Sequence, residues 1–234
     1  WLLQNSCYLD LVAKTGNEQG PTSLLAKLLW IKKHQPEIFS KTNCLLPGAS
    51  DYVVFRMTGE KATDTTTAST TGLMELVERK WIDDALFNKM GLQGVQTLLP
   101  KLFDGGAKIG ELQKKAATDL GIPAGLPVFL GPGDAGSATI GAGCGVPGKA
   151  YAYIGTSGWV AFAEKQPADP TTGVITLSHP KCDHFIQVAP LLTAGGNLEW
   201  AKSLSNFESY DSLINDAISS PLSNLIFLPY LKGE

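Results

Sequence analysis

A change of hydrophobic grammar near residue 125 constrains this chain most. Before it, apolar residues recur at helical spacing. In PTSLLAKLLWIKKHQ (21–35), Leu24, Leu25, Leu28, Leu29 and Ile31 fall on one helix, and Pro36 follows as a stop signal. The stretch from Asp51 to Met57 reads as a short helix closed by Thr58-Gly59, and WIDDALFNKM (81–90) as another ending at Gly91. The Thr-rich run 63–72 carries too many β-branched and hydroxyl residues for a helix, and reads as an irregular turn packed against something.

Further on, LQKKAATDLGI is a helix with a Gly stop, LPVFL (126–130) a short buried strand, GPGD a tight turn, and Ala135 to Ala142 a small-residue helix. YAYIGTSGWVAFAE then joins two apolar runs at GTSG, the pattern of a β-hairpin. VITLSHP and HFIQVAPLL are further strands, and a helix opens at Leu198. Helices first and strands later imply an α/β chain with a boundary near 145–150, and Gly145-Val146-Pro147-Gly148 is the linker candidate.

Composition removes several function classes. A net charge of -3 over 234 residues gives no footprint for nucleic acid. Apolar runs such as LPVFL are far too short to span a bilayer, and nothing near Trp1 resembles a signal peptide. Cys7, Cys44, Cys144 and Cys182 form no CxxC pair, so reduced thiols in a cytoplasmic protein are expected. His179, Cys182 and His184 lie close together but match no standard zinc spacing, so no metal site is expected there. The chain lacks an initiator Met and stops at FLPYLKGE, after an apolar run that reads as a buried strand, which points to a fragment of a longer chain.

Three short elements could carry chemistry. Asp134 stands where a strand hands over to a helix, the place where ligands gather in open α/β sheets. Gly131, Pro132 and Gly133 keep side chains away, and a carboxylate there can take a proton from an attacking hydroxyl. The same Asp is equally a favoured helix N-cap. Gly155-Thr156-Ser157-Gly158 offers amides and hydroxyls to phosphate oxygens, although a plain hairpin turn uses the same residues. Ala194-Gly195-Gly196 opens a helix carrying Glu199 and Trp200, and a helix start can face an anion.

Each signal is weak alone, but their order is distinctive. The strings KLLWIKKHQPEIF, DYVVFRMTGEKATDTTTASTTGL, PVFLGPGDAGSATIGAGCGVPG, YIGTSGWV, TAGGNLEW and FLPYLKGE together resemble the FGGY carbohydrate kinases. That resemblance implies a two-lobed, actin-like ATPase (ribonuclease H-like) fold, present as a partial chain. Residues 1–146 would be the remainder of the first, sugar-binding lobe, and 147–234 the start of the second, nucleotide-binding lobe. It makes Asp134 the catalytic base, sets Thr156 with Gly155, Ser157 and Gly158 at the ATP phosphates, and puts Gly195 and Glu199 by the nucleotide. Ala135 stands where many relatives carry Asn or Gln to hold the sugar.

The implied chemistry is ATP- and Mg2+-dependent phosphorylation of a sugar or polyol, with the isolated fragment inactive. The KLLW and DYV…TGE strings favour a ketopentose such as xylulose; gluconate, ribulose and glycerol stay open, as does a homodimer. The rival readings are a non-catalytic sugar- or nucleotide-binding relative acting as a regulator, and an actin-like ATPase without a small-molecule acceptor.

Overall fold

The computed structural model describes residues 6–181 and 183–231. The first half is helical with short strand pairs. In chain order it holds α1 (Tyr8–Thr15), α2 (Leu24–His34), α3 (Pro36–Lys41), α4 (Ala49–Thr58), β1 (Ala62–Asp64), α5 (Thr65–Ser69), β2 (Met74–Glu75) and β3 (Lys80–Trp81). There follow α6 (Asp84–Lys89), β4 (Lys101–Phe103), β5 (Lys108–Glu111), α7 (Lys114–Leu120), β6 (Pro127–Phe129) and α8 (Gly133–Gly141). The second half is led by strands: β7 (Ala150–Ile154), β8 (Gly158–Glu164), β9 (Ile175–Ser178) and β10 (Phe185–Leu191), then α9 (Gly195–Ser203) and α10 (Tyr210–Ser219).

Strands β7, β8, β10 and β9 form one antiparallel sheet in that order, while β1 pairs β4 in parallel. The expected hairpin is present, with Ile154 opposite Gly158 across the GTSG turn.

Local chemistry explains most boundaries. Ser23 caps α2 and Asp83 caps α6, each side chain accepting from a first-turn amide. Gly59 and Gly121 end α4 and α7 in the left-handed conformation that glycine adopts without penalty.

Several expectations need correction. Pro36 does not only stop α2; it is the first residue of α3, where its missing N–H would have no partner anyway. Trp81 belongs to β3, and the helix behind it begins at Asp84. The Thr-rich run is regular: β1 leads into α5, and Asp64 accepts from the Thr67 amide as its cap. The apolar run before FLPYLKGE is no buried strand. Leu225 and Ile226 are 89% and 87% exposed, and Phe227 instead stacks on Trp200. Nor is 126–130 wholly buried: Val128 and Leu130 point inward while Phe129 between them is exposed, the alternation of a half-covered strand.

Three apolar clusters hold the structure. Leu11, Leu25, Leu28, Phe87 and Leu92 centre the first, Val54, Leu112, Val128 and Leu130 the second. In the third, Ala135 of α8 packs with Tyr151, Trp159, Leu177 and Ile186 on one face of the four-stranded sheet. Each fully buried large side chain stabilises the fold by roughly 1.5–3 kcal/mol.

Polar ties reinforce this contact between the halves. Asn17 donates to the Thr176 carbonyl and accepts from its amide, at 2.8 and 2.7 Å. Ser69 Oγ accepts from the Ser178 amide at 3.0 Å. Arg79 donates to the carbonyls of His179 and Lys181 at 2.6 and 2.9 Å, and its other nitrogen pairs with Asp104. The Arg79 backbone sits at φ 50, a left-handed conformation that costs a non-glycine residue on the order of 1 kcal/mol. Arg79→Ala is therefore expected to lower the unfolding free energy by about 3 kcal/mol, because two carbonyls lose a charged donor. Arg79→Lys should recover less than half of that, since lysine lacks the fork. An unchanged urea midpoint for the alanine variant would remove this role.

Candidate active site

Buried Leu130 ends the run from β6, Gly131 and Pro132 turn the chain, and α8 begins at Gly133 with φ 63. Asp134 is thus the second helical residue rather than the N-cap, a place Pro132 holds. Its carboxylate is exposed, and one oxygen accepts from the Ala135 amide at 2.8 Å. The other oxygen remains available at the positive end of α8.

The glycines here serve close packing as much as open access. A Cβ on Gly133 would lie 2.9 Å from Thr67 Oγ1, and one on Gly136 would lie 2.8 Å from Pro132 and 3.2 Å from Thr66. So α5 presses against the first turn of α8. Asp64 sets that contact: it is fully buried and holds both the amide and the hydroxyl of Thr67. Sequence reasoning misses Asp64 because it falls inside a run whose composition reads as irregular.

Burial pushes the Asp64 carboxyl above its ordinary 3.8, against the opposing pull of the Thr67 hydrogen bonds. A raised folded value means that the fold is favoured by the protonated form. That contribution is complete below pH 3.8 and is lost as pH rises through the folded value. Asp64→Asn should therefore gain on the wild type in unfolding free energy between about pH 3 and pH 7. A difference that stays flat with pH would show that Asp64 is not perturbed.

Asp134 and Ala135 line a cleft of about 300 Å³ between the halves, together with Asn17, Ser69, Trp159 and Leu177. Trp159 follows directly on Gly158, so the cleft lining begins one residue beyond the hairpin turn, which does not itself line it. Trp159 Nε1 donates to the Tyr151 hydroxyl at 3.1 Å, which lies 3.2 Å from Thr139 Oγ1; Thr139 in turn donates to the Ala135 carbonyl at 2.8 Å.

The two glycine-rich elements meet directly. Gly155 and Thr156 accept at their carbonyls from Gly195 (2.8 Å) and from Ala194 and Gly196 (2.9 and 3.1 Å). These helix-start amides therefore brace the turn and are not aimed at a ligand. The exposed Thr156 and Ser157 hydroxyls carry no bond to any described residue. Glu199 is exposed on α9, with no hydrogen bond to a described residue, and is brought into neither the cleft nor the turn.

His179 is buried, its Nδ1 accepts from the Lys181 amide at 2.9 Å, and burial holds the imidazole below its usual value. Cys182 lies outside the described residues. Among the described residues no group of three His, Cys, Asp or Glu could hold a metal ion, and no helix is long and apolar enough to cross a membrane. Cys44 and Cys144 carry free thiols.

The solved neighbours are carbohydrate kinases with the actin-like ATPase fold, and the chain shares that fold over most of its length. Over 98% of its length the chain superposes with TM-score 0.88 on 47% of a ligand-bound xylulose kinase from Lactobacillus acidophilus, at 30% identity. A gluconate kinase from the same organism matches as well, with TM-score 0.88 and 29% identity over 98% of this chain and 47% of that one. The xylulose kinase of Bacillus subtilis (strain 168) is 34% identical over 215 residues, 90% of this chain and 42% of that protein. Residues 3–141 match the profile described as the FGGY family of carbohydrate kinases, N-terminal domain. The chain belongs to the FGGY family of carbohydrate kinases, and spans about half the length of the relatives it matches.

Proposed function

We propose that this chain forms part of a kinase that transfers the γ-phosphoryl group of ATP to a hydroxyl of a sugar or polyol, with Asp134 as general base. The observation that carries this reading is the exposed Asp134 carboxylate inside the cleft, which also takes in Trp159, the residue directly after the Gly155–Gly158 turn. Its free oxygen accepts the hydroxyl proton as the substrate oxygen bonds to phosphorus and the bond to the ADP oxygen breaks. Thr156 and Ser157, exposed on a turn braced from behind by Gly195 and Gly196, present donors to the phosphates. Glu199 and Ala135 are assigned to the nucleotide side and the acceptor side respectively.

A phosphate-bound Mg2+ would neutralise developing charge, and takes one or two protein carboxylates besides phosphate oxygens and water. Among the described residues of the cleft, Asp134 and Glu18 are the carboxylates, and Asp134 is needed as the base. These residues do not make a dedicated magnesium set, and no step is assigned to one.

Residues up to 146 would belong to the acceptor-side lobe and those from 147 to the nucleotide-side lobe. The four-stranded sheet lying wholly beyond 147 supports that division. A ketopentose such as xylulose is the first acceptor to test, and the gluconate kinase neighbour makes an aldonate the second. A full-length kinase carrying this chain should release ADP only when sugar is added. Across a panel of pentoses, polyols and aldonates, one acceptor should lead by kcat/KM. Release without sugar would instead mark an ATPase, and no release with any acceptor would favour a non-catalytic binding role.

A further inference from the structure

Two aromatic rings flank the Gly155–Gly158 turn. Tyr153 and Trp159 stand directly opposite each other in β7 and β8, so both side chains leave the same face of the sheet. Their rings stack with centroids 4.1 Å apart at 20°.

The two rings are held differently. Trp159 borders the cleft beside Asp134, and its Nε1 donates to the Tyr151 hydroxyl. Tyr151 in turn meets Thr139 on α8, the helix that carries Asp134. Tyr153 lines no part of the cleft, is 47% exposed, and its hydroxyl bonds to no described residue. With no hydrogen bond to fix it, the ring takes its position from Trp159.

From there Tyr153 reaches the turn. A Cβ on Gly155 would lie 2.8 Å from the Tyr153 hydroxyl oxygen and 3.2 Å from Cε1 and Cζ, so the end of the ring lies against the bare Cα of Gly155. Gly155 is also held through its carbonyl, which accepts from the Gly195 amide at 2.8 Å. The exposed Thr156 and Ser157 follow directly. A continuous line of contact thus runs from the cleft through Trp159, Tyr153 and Gly155 to those hydroxyls.

We infer that the Tyr153–Trp159 pair is a positioning element that couples the acceptor cleft to the phosphate-facing turn. A ligand packed on Trp159 fixes the indole, and the stacked Tyr153 ring then holds Gly155, with Thr156 and Ser157 in place for the phosphates. This rests on the sugar-kinase reading, which puts an acceptor in the cleft and phosphates at the turn. A stacked aromatic pair is worth about two- to tenfold in an equilibrium constant, which bounds the coupling.

Calorimetry on a full-length kinase carrying this chain provides the test. Xylulose, gluconate and glycerol serve as acceptor probes, and the β,γ-imido analogue of ATP with magnesium as the nucleotide. The probe that binds should tighten the nucleotide Kd by about three- to tenfold, and the nucleotide should tighten the probe Kd by the same factor. Tyr153→Phe keeps the ring and should keep that factor. Tyr153→Leu removes the stack and should bring it below about 1.5-fold, while the probe Kd without nucleotide stays within about twofold. Gly155→Ala should also abolish the factor, because its Cβ displaces the ring end; it decides the matter if the leucine variant does not fold. A merely structural loss would weaken each ligand alone and leave the factor unchanged. An unchanged factor in Tyr153→Leu or Gly155→Ala, its loss in Tyr153→Phe, or no binding of any probe overturns the coupling. A wild-type factor of one alongside sugar-dependent ADP release overturns the coupling and leaves the kinase reading standing. A factor that vanishes in Tyr153→Leu, with no ADP released from ATP by any probe, sinks the kinase reading and leaves the coupling standing.

Discussion

Replacing Asp134 with Asn should lower kcat by about 10²–10⁴-fold while ATP binding stays within a few fold, the loss typical of a removed general base. The variant isolates the proton transfer well. The asparagine side chain would keep an oxygen able to accept from the Ala135 amide, so the first turn of α8 retains its 2.8 Å contact. Asp134 is exposed, so the change in unfolding free energy should stay within about 0.5 kcal/mol. Steady-state kinetics on the full-length kinase, with nucleotide binding measured in parallel, provides the check. Near-normal turnover would remove Asp134 from the chemistry, and a large loss of stability would recast it as a structural residue.

The second large effect is expected at Gly195. A Cβ there would stand 2.5 Å from the Gly155 carbonyl oxygen, a backbone atom that cannot swing aside. Gly195→Ala must push the helix start and the turn apart, breaking the bonds from Ala194, Gly195 and Gly196. Overpacking of this kind costs about 1–3 kcal/mol, and the KM for ATP should rise at least tenfold as Thr156 and Ser157 lose their backing. Gly141 is the matching control. It lies at the end of α8 with nothing near its missing Cβ, so Gly141→Ala should be neutral or slightly stabilising. Equal nucleotide KM values for the two variants would mean that the turn does not face the phosphates.

Much of this was legible in the chain because local rules agreed with the tertiary result. Helices ending at Gly59 and Gly121, and the hairpin over GTSG, were marked by punctuation residues whose conformational demands are local. The failures have physical causes too. Strand β1 is three residues long and finds its partner β4 through a parallel crossover, which leaves no turn signal to read. The apolar run at 225–228 has strand composition, but composition cannot say whether a partner strand is beside it. At Asp134 the local pattern supported a cap, and only the backbone shows it one residue beyond Gly133, inside the helix. Trp159 is the instructive omission. In an alternating strand a tryptophan reads as core, and nothing nearby reveals that one face of the ring borders a cleft.

The bonds from Asn17 to Thr176 join residues 159 positions apart, and those from Ser69 and Arg79 close loops of 109 and 100. Contacts of such span form late, after the chain entropy of closing a long loop has been met. During synthesis, then, the helical half can condense on its own apolar clusters while the cleft wall opposite Asp134 does not yet exist. The site is assembled only once the chain has emerged through β10, because β9 joins the sheet by pairing with β10, and a truncation that removes 175–191 would leave the helical half and a carboxylate without the opposite cleft wall.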